Sequence, residues 1–510
     1  MLKQLQAIVG AEHVSEDLDV CDLATSDIFE WPGRKSALLV ASPRTTDETS
    51  AILRVLRASH IPVIARGAGL SYTGTFATLQ AAVVVDTSRI NDISVDAPNR
   101  CATVGAGASW ASVADALKPF GMKSTQASPI SGAYSTVGGL AAQGLPAGLD
   151  SILGLTVVLS DGSVVRTGAP TGFYRYAGPD LTGLFLGDCG AFGIKTEIVI
   201  RIAPEQPTAF ASFGFDNADD VLQGMIACLS VGVVTRAFAM DPVKSRDIRK
   251  VDVGEALSAA AAVIQRSGSL VQSAKDTTKL LRLAVGPTSD KPWSLHLTVE
   301  SPTQVGAGAQ LQRAREICGL KGVEGDDLFP RALKAKAYSI RGFVGPSGER
   351  WVPVHGIFSL SDARPAMAAL QDSVASQLEQ MTELGVVVSW LLSSSGPYVT
   401  IEPMFYWRDQ LDPIHMRYLS SRNRERFKGF AANPAARQFV RTMRERLRDV
   451  MDSYGAVHCQ LGRFYRAGNP DAEVLLARLK AALDPDHRIN PGVLGLSGLG
   501  SANEGTKRDS

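Results

Sequence analysis

The chain has 510 residues, and its 52 lysines and arginines nearly cancel its 51 aspartates and glutamates, leaving a formal net charge of +1. That balance excludes a broad basic field of the kind that holds nucleic acid, and no apolar run is long enough to cross a bilayer. The length predicts two or three domains, while six cysteines spread singly, with neither metal spacing nor disulfide-scaffold density, favour a reducing cytoplasm.

The chain opens on MLKQLQAIVGAEHVSED, which is amphipathic and soon acidic and has no secretory-type apolar core. A helix is predicted over residues 46–59, apolar at Ile52, Leu53, Val55 and Leu56. The short strand after it empties into Arg66-Gly67-Ala68-Gly69-Leu70-Ser71-Tyr72-Thr73-Gly74. Glycines there let backbone amides converge into a nest for phosphate, and Ser71 and Thr73 add hydroxyls, although ordinary tight turns have the same composition. A buried strand follows over residues 81–86. No helix opens at the third glycine, so the dinucleotide-binding βαβ fingerprint fails and the loop must hold phosphate by its own amides.

A second small-residue segment, Ser135-Thr136-Val137-Gly138-Gly139-Leu140-Ala141-Ala142-Gln143-Gly144, precedes the strand-like LGLTVVLSDGSVVRTG, whose Asp161-Gly162 signals a hairpin. Then come GPDLTGLFLGDCGAFGIKTEIVIRIAP and a strand opening on AFASFGF. The middle alternates strand-like runs (294–300, 385–392, 398–406) with helical stretches (363–384, 434–454), as an α+β layer should. Near the end stands DPDHRINPG, and the polar tail 497–510 is expected to be disordered.

Together RGAGLSYTG, STVGGLAAQG, GPDLTGLFLGDCGAFGIKTEIVIRIAP and DPDHRINPG resemble, in order and spacing, the FAD-binding oxidoreductases of the vanillyl-alcohol oxidase superfamily. The nearest branch is that of the FAD-linked D-lactate, glycolate and D-2-hydroxyglutarate dehydrogenases. The resemblance implies an α+β chain with a two-subdomain FAD domain of the PCMH type over residues 1–205, completed by 455–496. A substrate or cap domain, an antiparallel sheet with helices, is implied over 206–454.

The resemblance also implies positions for the flavin. Arg66 to Gly74 would wrap the pyrophosphate, while Pro129, Ser131, Ser135, Thr136, Gly138 and Gly139 would run beside the ring and ribityl chain. Gly187, Gly190 and Gly193 would admit the adenine side, lined by Ile194 and Ile198, with Asn490 completing the site. Tight turns and core packing are the bland readings of the same residues. Because the loop contains no histidine, noncovalent FAD is expected; Cys189, where hydroxy-acid relatives often carry glutamate, is read as buried and inert.

Oxidising a C–H bond beside a hydroxyl needs a base for the O–H proton, and histidine suits this near neutral pH. His458, in YGAVHCQLG, occupies the place of the family's Glu-His-Gly segment, with a hydrogen-bonded core histidine as the competing reading. Val457 replaces the glutamate that binds a divalent cation in metal-dependent members, so no metal is expected, although His355, Glu402 and His458 could rebuild a site. Arginine would pair with a substrate carboxylate, and Arg341, Arg408, Arg463 and Arg466 are candidates. Glu402 and Tyr406 are assigned to substrate binding, and the Tyr465-Arg466 pair is similar to the phenolate site of phenol-oxidising relatives.

The expected function is therefore FAD-dependent oxidation of a CH–OH group, with a 2-hydroxy acid as default substrate. A vanillyl-alcohol-oxidase-type phenol oxidase and a noncatalytic flavoprotein subunit of a glycolate-oxidase-like complex are the alternatives. The expected partners are a small-molecule substrate, an electron acceptor that the motifs do not name and, as one option, a second copy of the chain in a homodimer, since the sequence does not fix the oligomeric state.

Overall fold

The computed structural model describes residues 1–125, 131–145, 148–244, 291–335, 344–465 and 470–496. The chain divides into two compact units, Met1–Glu205 with Cys459–Ser510, and Gln206–His458. The second boundary follows His458 rather than residue 454. The physical reason is a bridge within the second unit, where the Ile357 and Val457 amides each donate to the other's carbonyl at 2.9 Å.

The first unit is built on two sheets. In one, β1 (Val14–Ser15), β2 (Leu39–Ala41), β3 (Val63–Arg66) and β4 (Val83–Asp86) lie in the order β1-β2-β4-β3, with β2, β4 and β3 mutually parallel. The helix Thr46–Ala58 makes the crossover from β2 to β3; Thr45 caps it by accepting from the Glu48 amide at 3.1 Å. Its apolar stripe, Ile52, Leu53 and Leu56, is buried with Val63, Val83 and Val85. Covered strands of a parallel sheet need no polar alternation, which explains the VVVD run of β4.

The second sheet is antiparallel: β5 (Ile93–Asp96), β6 (Cys101–Gly105), β7 (Met122–Ser124), β8 (Ile152–Val158), β9 (Val164–Arg166) and β10 (Ile194–Pro204), in the order β5-β6-β10-β8-β9 with β7 on the far end of β10. The turn between β8 and β9 is the expected Asp161-Gly162, with Gly162 at φ +83° and Asp161 Oδ1 accepting from the Ser163 amide at 2.8 Å. The small-residue segment opens a helix, Val137–Gln143, whose cap is Thr136 Oγ1, accepting from the Gly139 amide at 3.1 Å.

The second unit carries one antiparallel sheet among the described residues. Its strands are β11 (Thr208–Phe215), β12 (Arg236–Met240), β13 (Trp293–Glu300), β14 (Val323–Gly325), β15 (Arg350–Pro353), β16 (Gly356–Phe358), β17 (Val387–Ser394) and β18 (Val399–Trp407). They run in the order β14-β11-β13-β12-β17-β18-β15, with β16 also on β18. Register puts Phe213, Leu295, Ala239, Leu392 and Ile401 in one row on one face, all buried, where the helices Ala218–Ser230, Gln304–Cys318 and Ala363–Ala375 pack. Side chains alternate along a strand, so Ser294, Met240, Leu391 and Glu402 form a row on the opposite face. The chain is thus α+β, as its sequence implies.

Candidate flavin-binding site

A cleft of about 890 Å³, its open mouth included, runs through the first unit. Three segments that are far apart in sequence line it: the loop after β3, the 131–145 segment and the loop entering β10.

The loop after β3 is held from beneath. Arg66 is buried, and its Nη1 donates to the carbonyls of Ala24 (2.8 Å) and Ser26 (3.0 Å), with the guanidinium 4.9 Å from the Phe76 ring centre. Buried Asp27 accepts from the Gly74 amide at 2.5 Å. The hydroxyls of Ser71, Thr73 and Thr75 bond one another at 3.1–3.3 Å. With its underside so fixed, the loop leaves the amides of Gly69, Leu70 and Ser71 with no hydrogen-bond partner among the described residues. Gly69 sits at φ +76°, and a Cβ there would lie 1.9 Å from Arg66 Nη2, so any other residue must displace the guanidinium.

The second wall adds a ligand-seeking group: Ser135 Oγ lines the cleft, buried and without a hydrogen-bond partner among the described residues. Close approach of the walls explains two glycines. A Cβ at Gly67 would meet Thr136 Oγ1 at 2.6 Å, and one at Gly138 would meet the Ala106 Cβ at 2.7 Å. The third wall is closed by Asn490, whose Oδ1 accepts from the Ala65 amide (2.8 Å) and whose Nδ2 donates to the Cys189 carbonyl (2.7 Å). Asn490, Cys189 and Gln460 all line the cleft at positive φ (40°, 50° and 53°). Non-glycine residues held there carry strain of the kind that gathers at functional sites.

Of the positions expected to bind the cofactor, Arg66, Gly67, Ala68, Gly69, Leu70, Ser71, Ser131, Ser135, Thr136, Gly138, Gly139, Gly190, Gly193, Ile194 and Asn490 line the cleft. Three others do not. The Gly74 amide is spent on Asp27, the Gly187 amide donates to the Ala141 carbonyl at 2.8 Å, and Ile198 is buried mid-strand in β10 opposite Val104 and Leu155. Pro129, Arg341 and Arg466 lie outside the described residues.

Sequence reasoning missed Thr75, Phe76, Thr87, Gln143, Lys195 and Gln460, which also line the cleft. Lys195 is buried with Asp188, Nζ to Oδ1 at 2.6 Å. The two stand seven residues apart in GDCGAFGIK, a charged pair inside an otherwise apolar run, and that contrast was the available signal. Cys189 also lines the cleft; burial, ahead of every other influence, pushes its thiol up to about 12, as befits an inert group.

Arg463 and Tyr465 are placed away from the cleft lining. Arg463 Nε donates to the Ala77 carbonyl at 3.1 Å and Nη2 to the Pro491 carbonyl, so the guanidinium ties two backbone segments together instead of presenting a fork to a substrate. Tyr465 is buried edge-on to Phe464 at 4.7 Å.

In the second unit, His458 has both ring nitrogens engaged, Nδ1 at 2.9 Å from the His355 carbonyl and Nε2 at 2.7 Å from Asp452 Oδ1. A carbonyl only accepts, so Nδ1 is the donor to His355, and Nε2 is committed to the Asp452 carboxylate. Both nitrogens are thus held by groups of the second unit. Glu402 and Tyr406 share the face of the sheet away from the three helices, and Tyr406 Oη accepts from Lys244 Nζ at 2.9 Å. Burial raises the Glu402 carboxyl to about 7 against the opposing pull of Lys244. Among the described residues no group of three His, Cys, Asp or Glu side chains could hold a metal ion, and no helix is long and apolar enough to cross a membrane.

An amide-lined loop, an orphaned buried hydroxyl and a long cleft between two sheets define a protein that cradles a phosphate-bearing cofactor. Residues 37–168, all within the first unit, match the FAD binding domain family, so the cofactor is FAD. The chain is 30% identical to the glycolate oxidase subunit GlcD of Bacillus subtilis over 205 residues, 38% of this chain and 43% of that protein. It is 26% identical to D-lactate dehydrogenase of Archaeoglobus fulgidus over 234 residues, 44% of this chain and 51% of that protein. It thus spans about half the length of these relatives or less. Its fold is that of p-cresol methylhydroxylase (TM-score 0.69, 15% identity, covering 97% of this chain and 96% of that one). Alkyldihydroxyacetonephosphate synthase has it too (TM-score 0.67, 15% identity, 96% and 85%). The resemblance to the FAD-linked proteins of the vanillyl-alcohol oxidase superfamily is borne out by the domain and by the fold.

Proposed function

We propose that this chain is an FAD-dependent oxidoreductase that oxidises a CH–OH group, with a 2-hydroxy acid as substrate. The observation that carries the reading is the cleft of the first unit, where the amides of Gly69, Leu70 and Ser71 and the Ser135 hydroxyl all lack protein partners among the described residues. When bound, FAD supplies the hydride acceptor. The similarity to a glycolate oxidase subunit and a D-lactate dehydrogenase supports the hydroxy-acid class.

The residues present fit FAD in their donor chemistry. Converging amides suit the pyrophosphate, and Ser135 Oγ suits a polar atom of the cofactor. Noncovalent attachment is supported by the absence of histidine from the described lining and by the high-lying Cys189 thiol, since a thiol holding its proton is a poor nucleophile.

The test is anaerobic. Purified holoprotein is mixed with D- and L-2-hydroxy acids and with para-substituted phenols, and the flavin absorbance is followed. Bleaching by a hydroxy acid is the expected result. Bleaching by phenols alone replaces the substrate class, and no bleaching by either leaves the noncatalytic subunit reading.

A further inference from the structure

The cleft of the first unit holds a cation that its fold leaves short of partners. Lys195, at the start of β10, lines the cleft with a side chain only 3% exposed. Its ammonium carries three N–H donors and makes one hydrogen bond among the described residues, to Asp188 Oδ1 at 2.6 Å. Lys480, buried in the same unit, shows the ordinary solution. Its ammonium finds three acceptors: the carbonyls of Ala191 and Ile489, both at 2.7 Å, and Asp484 Oδ2 at 2.6 Å. Withdrawing an ammonium from water is costly unless its protons find acceptors, so Lys195 has a call on two more.

The carboxylate of the pair is in the opposite condition. Asp188 does not line the cleft, and besides Lys195 it accepts from the amides of Gly190 (2.9 Å) and Phe192 (3.2 Å) in its own turn. That turn abuts the root of the amide loop. A Cβ at Gly190 would stand 2.6 Å from Asn490 Nδ2 and 3.9 Å from the Ala65 Cβ, and Ala65 leads through Arg66 into the loop itself. Among the described residues the lining carries two charged side chains, Arg66 and Lys195, and no carboxylate. Nη1 of Arg66 is committed beneath the loop to the Ala24 and Ser26 carbonyls.

We propose that Lys195 binds the pyrophosphate of FAD, its ammonium donating to phosphate oxygens alongside the amides of Gly69, Leu70 and Ser71. This rests on FAD occupying the cleft, as the proposed function requires, and is independent of the substrate class. Oxidised FAD carries its formal negative charge on its phosphates, so a wall that presents cations and no carboxylate is matched to that part of the molecule. The amides give direction and partial charge. Lysine adds a full charge that accepts a range of geometries, where an arginine fork would demand one. Asp188 offsets the ammonium's charge until the cofactor arrives.

The experiment follows FAD release from and return to the full-length chain by flavin fluorescence, with ADP and adenosine as competitors. It compares wild type, Lys195→Met, Asp188→Asn and the double variant, with circular dichroism to check folding. Lys195→Met should weaken FAD and ADP about ten- to a hundredfold, as loss of hydrogen bonding to a charged group does, and leave adenosine unchanged. Asp188→Asn should bind ADP as tightly as wild type or more tightly, because the ammonium stays and its rival acceptor loses its charge. The double variant should match Lys195→Met; having no unpaired carboxylate in its interior, it carries the test if the single variant does not fold.

Equal loss of ADP in Lys195→Met and Asp188→Asn assigns the pair to the fold and overturns the proposal, as does failure of both Lys195→Met and the double variant to fold. Loss of adenosine in step with ADP overturns the pyrophosphate assignment. Unchanged ADP affinity in Lys195→Met overturns it as well, and a shifted flavin reduction potential in that variant would then move the ammonium to the ring. Wild type that binds neither FAD nor ADP overturns the reading of the cleft and this one together.

Discussion

Replacing Gly69 with alanine isolates the contact that shapes the phosphate loop. At φ +76° an L-residue costs about 1–2 kcal/mol. The new Cβ would also stand 1.9 Å from Arg66 Nη2 and 2.2 Å from Cζ, so the whole guanidinium must leave. It would abandon the Ala24 and Ser26 carbonyls, two hydrogen bonds to a charged group worth about 1.5–3 kcal/mol each. The sum is about 4–8 kcal/mol, comparable with the whole stability of a domain. Arg66→Met alone should cost about 3–6 kcal/mol for the same lost bonds. Once the guanidinium is gone, adding Gly69→Ala should cost only the backbone term, about 1–2 kcal/mol. Urea denaturation of the four apo proteins gives the cycle, and flavin fluorescence gives FAD affinity in parallel. Equal cost of Gly69→Ala in both backgrounds would refute the steric argument.

His296 lies buried between Ser212 Oγ (2.9 Å) and Ser294 Oγ (3.1 Å), and burial lowers it to about 3. Its unfolded value is about 6.5, so as pH falls the unfolded state takes up the proton first; stability should drop by about 2 kcal/mol from pH 7 to 5, and His296→Gln should remove that component in denaturation at the two pH values. Flavin reduction should survive exhaustive chelation, since Val457 offers no lone pair to a cation; loss of turnover restored by zinc or manganese would contradict this.

The flavin site was legible where it depends on backbone. Gly67, Gly69 and Gly138 are dictated by close approach, and close approach leaves its mark in the sequence as glycine. What was hidden depends on distance along the chain. Gly74 and Gly187 look the same as the lining glycines, but their amides are committed to Asp27 and to Ala141, partners that no local motif reveals. Arg463 fails as a substrate fork for the same reason, because Ala77 and Pro491 had claimed its guanidinium. His458 was found by position, but its engagement with His355 and Asp452 was not, since one partner is a carbonyl over a hundred residues away and every residue has a carbonyl. In the sheet of the second unit β12, β14, β15 and β16 went unread, while β11, β13, β17 and β18 were readable as strand-like runs. Their order was not, and only the order sets Glu402 beside Leu391 and Met240.

Asn490 bonds to Ala65, 425 residues back, and to Cys189, 301 residues back, and buried Lys480 donates to the Ala191 carbonyl, 289 residues back, at 2.7 Å. On a ribosome this imposes a schedule. The glycine loop is made early, yet the clasp that closes its cleft emerges only after the entire second unit has been synthesised. At about 5–20 residues per second the early sheets wait on the order of 15–50 s for it. The inserted unit can fold in that interval, and cofactor loading becomes a late event that only a chain translated past residue 490 can complete.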